Sequence, residues 1–189
     1  MTTRFPICLP YILAQECPDP TNWSDHRNFS QDAHDPGGAT MCGIIQREYD
    51  HYRKLNDLSV QPVSLLTRAE GTWIYLNWYW QPRCDDLPPG LDLSFADSSV
   101  NEGSTEANRN LQRALGIVAD GIWGPKTAAA VKACSSGTAA ANVIERFTSI
   151  REATYKLFKG YPYFGKGWEA RAASIGKTSL EMAEMIRGV

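Results

Sequence analysis

This chain of 189 residues has no excess of basic charge and no apolar run of membrane-spanning length. Its 19 Lys and Arg against 21 Asp and Glu leave a formal net charge of -2 and a pI near 5.9. That balance excludes the basic footprint of a nucleic-acid binder. Attraction to an anionic surface must then be local, since net charge does not steer it. No P-loop, Gly-x-Ser-x-Gly elbow or internal repeat occurs. The five cysteines, Cys8, Cys17, Cys42, Cys84 and Cys134, are an odd number without metal-type spacing. His26, His34, Asp32, Cys17 and Cys42 are metal-ligand types at irregular intervals, so no metal and no cofactor are expected. The plain reading of the thiols is small buried hydrophobes. Strand patterns are nearly absent, with at most a short β-hairpin in the loop from Pro18 to His34. The 43% hydrophobic and 21% charged fractions are those of a globular protein of one or two domains.

What is present is helical periodicity. Leu9, Ile12, Leu13 and Glu16 fall at i, i+3, i+4 and i+7, so Glu16 continues an apolar stripe at the end of a helix. A carboxyl so placed loses solvation and sits at the negative end of the helix dipole, both of which favour its protonated form. A group that keeps its proton at neutral pH suits general acid catalysis of glycoside cleavage. The alternative reading is an ordinary Glu on a last helical turn. A polar loop with Trp23, His26 and Phe29 follows, then Asp35-Pro-Gly-Gly-Ala-Thr40 and Gly43-Ile44.

The helix ending Leu-Pro-Tyr-Ile-Leu-Ala-Gln-Glu16, the Asp35 to Thr40 turn and Gly43-Ile44 together resemble glycoside hydrolase family 108, lysozyme-like N-acetylmuramidases. The family signature is a Glu-Gly-Gly helix end, an Asp-Pro-Gly-Gly-x-Thr turn and a Gly-Ile-Thr helix start. The resemblance implies an all-α, lysozyme-like fold with Glu16 as catalytic acid and Asp35 as the nearby second carboxylate. Asp25 and Asp32 compete with Asp35 for that role. Thr40 would support the turn and hydrogen-bond a carboxylate or the attacking water, and Gly37 and Gly38 would let backbone approach a sugar. Cys17-Pro18 replaces Gly-Gly, Ile45 replaces the last Thr, Met41 follows Thr40, and the loop from Pro18 to His34 is longer than usual. The family fold would bring the end of the first helix close to the Gly-Gly turn, so Cys17 and Cys42 stand as a disulfide or a close contact beside the site. The long loop, with Trp23, reads as a lid or substrate wall.

Downstream, a helix is predicted to about Leu55, and Thr67-x-x-Glu70 is a capping box opening another. That helix carries Trp73, Tyr75, Trp78, Tyr79 and Trp80, which cannot all face one core, so some rings, Trp78 among them, are candidates for a saccharide cleft. The next helix ends at Gly103. Its Asp97, Val100, Asn101 and Gly103 resemble the family's Asp-x-x-Val-Asn-x-Gly. Asp97 and Asn101 share a face, where they either touch substrate or satisfy buried backbone.

Leu111-Gln-Arg-Ala-Leu-Gly116, Asp120-Gly121 and Pro125-Lys-Thr127 resemble peptidoglycan-binding modules, as does the later Gly167-Trp168-Glu-Ala-Arg171. A long helix is predicted from about Ala139 to Lys159, and Thr178-x-x-Glu181 is predicted to cap a last one. The division expected is a catalytic lobe over residues 1–101 and a helical peptidoglycan-binding lobe over 102–189.

By resemblance the chain would cleave the β-1,4 bond between N-acetylmuramic acid and N-acetylglucosamine, in phage lysis, secretion or interbacterial attack. A non-catalytic wall-binding protein, or a structural component of a phage or secretion machine, is the alternative. The partners expected are bacterial peptidoglycan, with no nucleic acid and no membrane, and an immunity or secretion-machine protein; the chain is expected to be a monomer. Residues 1–15 carry one charge, Arg4, and an apolar stretch broken by Pro6 and Pro10, a poor signal peptide. The expectation is synthesis in the bacterial cytoplasm and action in the periplasm or cell wall after release or specialised export.

Overall fold

The computed structural model describes residues 3–31, 38–80, 83–135 and 137–185. Among them stand eight α-helices and one antiparallel sheet of three two-residue strands. The chain forms two compact units, residues 5–78 and residues 1–4 with 79–189.

In the first unit, α1 (Phe5–Glu16) buries Phe5, Cys8, Leu9, Ile12 and Leu13, the stripe that the spacing predicts. Cys17 N–H closes its last turn on Leu13 O at 2.7 Å, and Pro18, which has no N–H, ends it. The segment that follows is folded around Asn28, 4% exposed. The Asn28 side chain accepts from Asp19 N–H at 2.8 Å and donates to the carbonyls of Asp19 and Asn22 at 2.8 and 2.9 Å. Strands β1 (Phe29–Ser30), β2 (Thr40–Met41) and β3 (Ile44–Ile45) pair in that order. Met41 lies opposite Ile44, leaving Cys42 and Gly43 as a two-residue hairpin turn. Their φ angles are +47° and +73°, the positive pair that matches such a turn to the strand twist.

Next comes α2 (Gln46–Leu55), with Tyr49 and Tyr52 buried, then α3 (Arg68–Ile74), which continues in π-helical turns over Tyr75–Trp80. The capping box is present: Thr67 Oγ1 accepts from Glu70 N–H at 3.3 Å, and Glu70 Oε2 accepts from Thr67 N–H at 2.9 Å. The same Glu70 ties α2 to α3, accepting from Tyr49 Oη at 2.9 Å and Arg53 Nη1 at 2.8 Å.

In the second unit, α4 (Leu91–Glu102) is buried along Leu91 to Ser99 and packs against α5 (Ser104–Leu115), α7 (Gly137–Tyr155) and α8 (Tyr161–Met185). The polar side chains that α4 encloses, such as Ser94, which donates to Ser179 Oγ at 2.8 Å, are held by hydrogen bonds. The packing thus divides at 78/79, and α4 shares a core with the helices that follow it. Gly103 and Gly116, with φ of +84° and +73°, end α4 and α5, and Pro125 opens α6 (Pro125–Ala133) at the tolerated first position.

Two expectations are corrected. The hairpin joins β2 and β3, beyond the Pro18–His34 loop where one was expected, and Ile44 lies in β3 ahead of α2. Thr178 does not cap a separate last helix, because α8 runs unbroken from Tyr161. Pro162 falls in its first turn, where no N–H is needed. Gly176 belongs to tertiary packing: a Cβ there would stand 2.6 Å from Thr148 Oγ1 of α7.

Candidate active site

Glu16 is the last residue of α1 and is half-buried. The hairpin turn lies directly against its carboxyl group. A Cβ built on Gly43 would stand 2.9 Å from Glu16 Cδ and 3.1 Å from the Tyr75 hydroxyl, and closer still to Glu16 Oε2. Gly43 therefore serves two ends here, a positive φ and a close approach of backbone to an acid. Tyr75, 1% exposed, donates to Cys42 O at 2.8 Å, which holds the turn from the side of α3.

Beside this contact lie the Cys17 and Cys42 thiols, both free and buried. Hydrogen bonding to Cys42, then burial and the nearby Glu16 and Asp19 charges, push the Cys17 thiol far above its ordinary range. Three stretches distant in sequence thus converge within one unit: Glu16-Cys17, Cys42-Gly43 and Tyr75.

The other sequence candidates fall in different places. Asp35 and Gly37 lie outside the described residues, as do Asp32 and His34. Thr40 is half-buried in β2, opposite Ser30 and Ile45. Gly38 has φ +71° and nothing within 4 Å of a built Cβ, so backbone conformation explains this glycine. Asp25 accepts from the Arg27 side chain at 2.8 and 3.0 Å and from Arg27 N–H. These bonds hold its carboxyl at about 2, which makes it a charged local cap.

Trp23 was expected on a substrate wall, yet it is 4% exposed. Its ring lies against Gly71 of α3, where a Cβ would meet Cε3 at 3.1 Å and other ring atoms closer still. Trp23 and Asn28 are thus the buried anchors of the described part of the long loop. Trp78 is half-buried, 5.3 Å from the His51 ring and edge-on to Trp73 at 6.1 Å, with Tyr52 5.1 Å from Trp73. These rings form a partly open aromatic surface shared by α2 and the α3 region.

Asp97 and Asn101 belong to the second unit. Asp97 is fully buried, bound by Arg151 Nη2 at 2.9 Å and Arg171 Nη2 at 2.8 Å. Asn101 Oδ1 accepts from Tyr155 Oη at 2.9 Å. Of the two readings open at the sequence level, these contacts are those of the structural one. Burial raises the neighbouring Glu102 carboxyl against the opposing Arg151 charge, and a buried charge of this kind must be paired.

The Leu-Gln, Asp-Gly and Pro-x-Thr motif has a physical explanation. Gln112, 1% exposed, donates to Asp120 Oδ1, Ile122 O and Thr127 Oγ1 at 2.7, 3.0 and 3.1 Å, and accepts from Gly121 N–H at 2.8 Å. One amide side chain locks the loop between α5 and α6. An open depression of about 910 Å³ lies over it, with Val118, Ile122 and Pro125 among its lining.

Tyr75 and Arg151 were missed by sequence reasoning as organising residues. Tyr75 was visible only as one ring in an aromatic cluster, and no local signal marks Arg151.

The glycosyl hydrolase 108 family model matches residues 12–103, a stretch holding Glu16, the Cys42-Gly43 turn and Tyr75. The match supports a glycoside hydrolase. Among solved structures, Brucella abortus SagA is similar over 95% of each chain, with a TM-score of 0.77 and 28% identity. The fold is accordingly all-α and lysozyme-like. No curated protein matches the chain.

Proposed function

We propose that this protein is a peptidoglycan hydrolase, an N-acetylmuramidase that cleaves the β-1,4 bond between N-acetylmuramic acid and N-acetylglucosamine. The observation that carries the reading is the Glu16 carboxyl at the end of α1, set against the Gly43 turn beside Tyr75, within the stretch similar to glycosyl hydrolase 108. Glu16 gives its proton to the departing glycosidic oxygen as positive charge develops on the sugar ring. Asp35 is the candidate second carboxylate, for water activation or direct attack. Thr40 and the backbone at Gly37 and Gly38 orient the sugar or the water, and the Trp73 and Trp78 rings offer faces on which sugars stack.

No cofactor enters this scheme. The region from residue 102 onward would hold the cell wall, with the depression around Gln112 and Ile122 as its contact surface. The setting would be phage lysis, secretion or interbacterial attack, with export to the wall by a specialised route and an immunity or secretion-machine protein as partner.

The test is digestion of purified peptidoglycan followed by mass spectrometry of the products. Fragments ending in reducing N-acetylmuramic acid are expected. Fragments ending in reducing N-acetylglucosamine, or cut stem peptides, would overturn the bond assignment. Wall binding without any product would favour the non-catalytic or structural alternative.

A further inference from the structure

We infer that Cys17 and Cys42 form a disulfide when the chain folds outside a reducing compartment, and that this bond fixes the end of α1 to the turn that holds Glu16. The proposed function enters only through the compartment, since a wall-acting enzyme works where thiols are oxidised.

Three observations lead here. The two thiols are free and buried, and Cys42 is the strongest influence on Cys17. Their chain neighbours also meet, because the Gly43 backbone lies against the Glu16 carboxyl. Cys42 occupies a position of φ +47°, where Gly or Asn is favoured and a side chain is strained. Turn propensity therefore does not explain this cysteine, whereas a covalent partner within reach does.

The other cysteines do not compete. Cys134 donates to Val131 O at 3.1 Å and Cys84 to Tyr79 O at 3.7 Å. Cys8 stands on α1 nine residues before Cys17, which directly follows that helix, so about 12 Å of helix rise separates Cys8 from the helix end at Glu16, beyond disulfide reach. Among the described residues, no group of three or more His, Cys, Asp or Glu could hold a metal ion.

The oxidant is a disulfide, either glutathione disulfide or a protein disulfide donor. One cysteine thiolate attacks it, releasing one reduced thiol and leaving a mixed disulfide. The second cysteine then attacks that bond, releasing the other reduced thiol. Both cysteines lose a proton and, as a pair, two electrons, which the oxidant takes up. Cys17 and Cys42 are 4% and 0% exposed, so the exchange belongs to folding, and the finished bond is shielded from reductant.

The experiment refolds the full chain in a mixture of oxidised and reduced glutathione, and in parallel with dithiothreitol. Free thiols are alkylated before tryptic mapping without reduction. Cleavage after Arg27 and Arg47 separates residues 5–27 from 28–47. A linked pair of these peptides is expected after oxidative refolding, lost in Cys17→Ala and Cys42→Ala and kept in Cys8→Ala. The thermal midpoint of the oxidised protein should lie roughly 5 °C or more above that of the reduced one. Complete alkylation of both cysteines after oxidative refolding, or their pairing with any other cysteine, would overturn the inference. Should the chain not refold, the same map of protein exported to a bacterial periplasm decides the question. A linked peptide in a protein that releases no glycan would leave this inference standing while the proposed function fell.

Discussion

Replacing Gly43 by alanine adds one methyl group at the point where the hairpin meets the acid. With φ at +73°, an alanine there costs about 1–2 kcal/mol in backbone strain. The methyl would also stand 2.9 Å from Glu16 Cδ and 3.1 Å from the Tyr75 hydroxyl. Of these the Glu16 carboxyl is the end of a flexible side chain, so it gives way and the turn survives. A displacement of about 1 Å at a catalytic group lowers turnover by about 100-fold, or about 2.7 kcal/mol of barrier. Gly116→Ala is the matched control, with the same φ of +73° and nothing within 4 Å of its Cβ. On soluble peptidoglycan fragments, which need no wall binding, both variants should melt roughly 2–8 °C lower. Only Gly43→Ala should lose about 100-fold in turnover. Equal activity of the two variants would refute the role given to the turn.

Two further outcomes follow from the packing. Burial pushes the Glu70 carboxyl up, but bonds from Thr67 and Tyr49 and the Arg53 charge outweigh it and hold it below the usual range. A lowered folded-state value stabilises above the unfolded value and is lost as pH falls through the folded one. Glu70→Gln should therefore melt lower at neutral pH and show a shallower decline towards acid; parallel pH–melting curves would contradict this. Gln112→Ala leaves the buried Gly121 N–H without its acceptor, at about 1–3 kcal/mol. Its melting point should drop by several degrees and its sedimentation with cell walls should fall, with cleavage of soluble fragments unchanged. An unaltered melting point would sink the locking role.

Much of this was legible because it is local. The stripe of α1, the Thr67 and Glu70 box, the glycines ending α4 and α5, and Pro125 each act over one or two helical turns. What sequence obscured depends on partners far along the chain. Thr178 looks like a cap until α7 is seen against Gly176. Trp23 reads as part of a substrate wall until Gly71 makes room for its ring, and Asp97 leaves a substrate role and a structural one open until Arg151 and Arg171 are seen against it. The Tyr75 bond to Cys42 O spans 33 positions. No periodicity or spacing rule reaches that far. Helix position and family resemblance singled out Glu16 as a candidate and set Cys42 near it, whereas the Cys42-Gly43 hairpin against its carboxyl became visible only in the folded chain.

The most direct measurement compares wild type with Glu16→Gln, which keeps the shape of the side chain and removes its acid. Both proteins are incubated with purified peptidoglycan, and released muropeptides and bound protein are measured in the same tubes. The account predicts undiminished binding and a loss of about 100-fold or more in reducing N-acetylmuramic acid ends from the variant. Equal release by both proteins would contradict it and take Glu16 out of the chemistry.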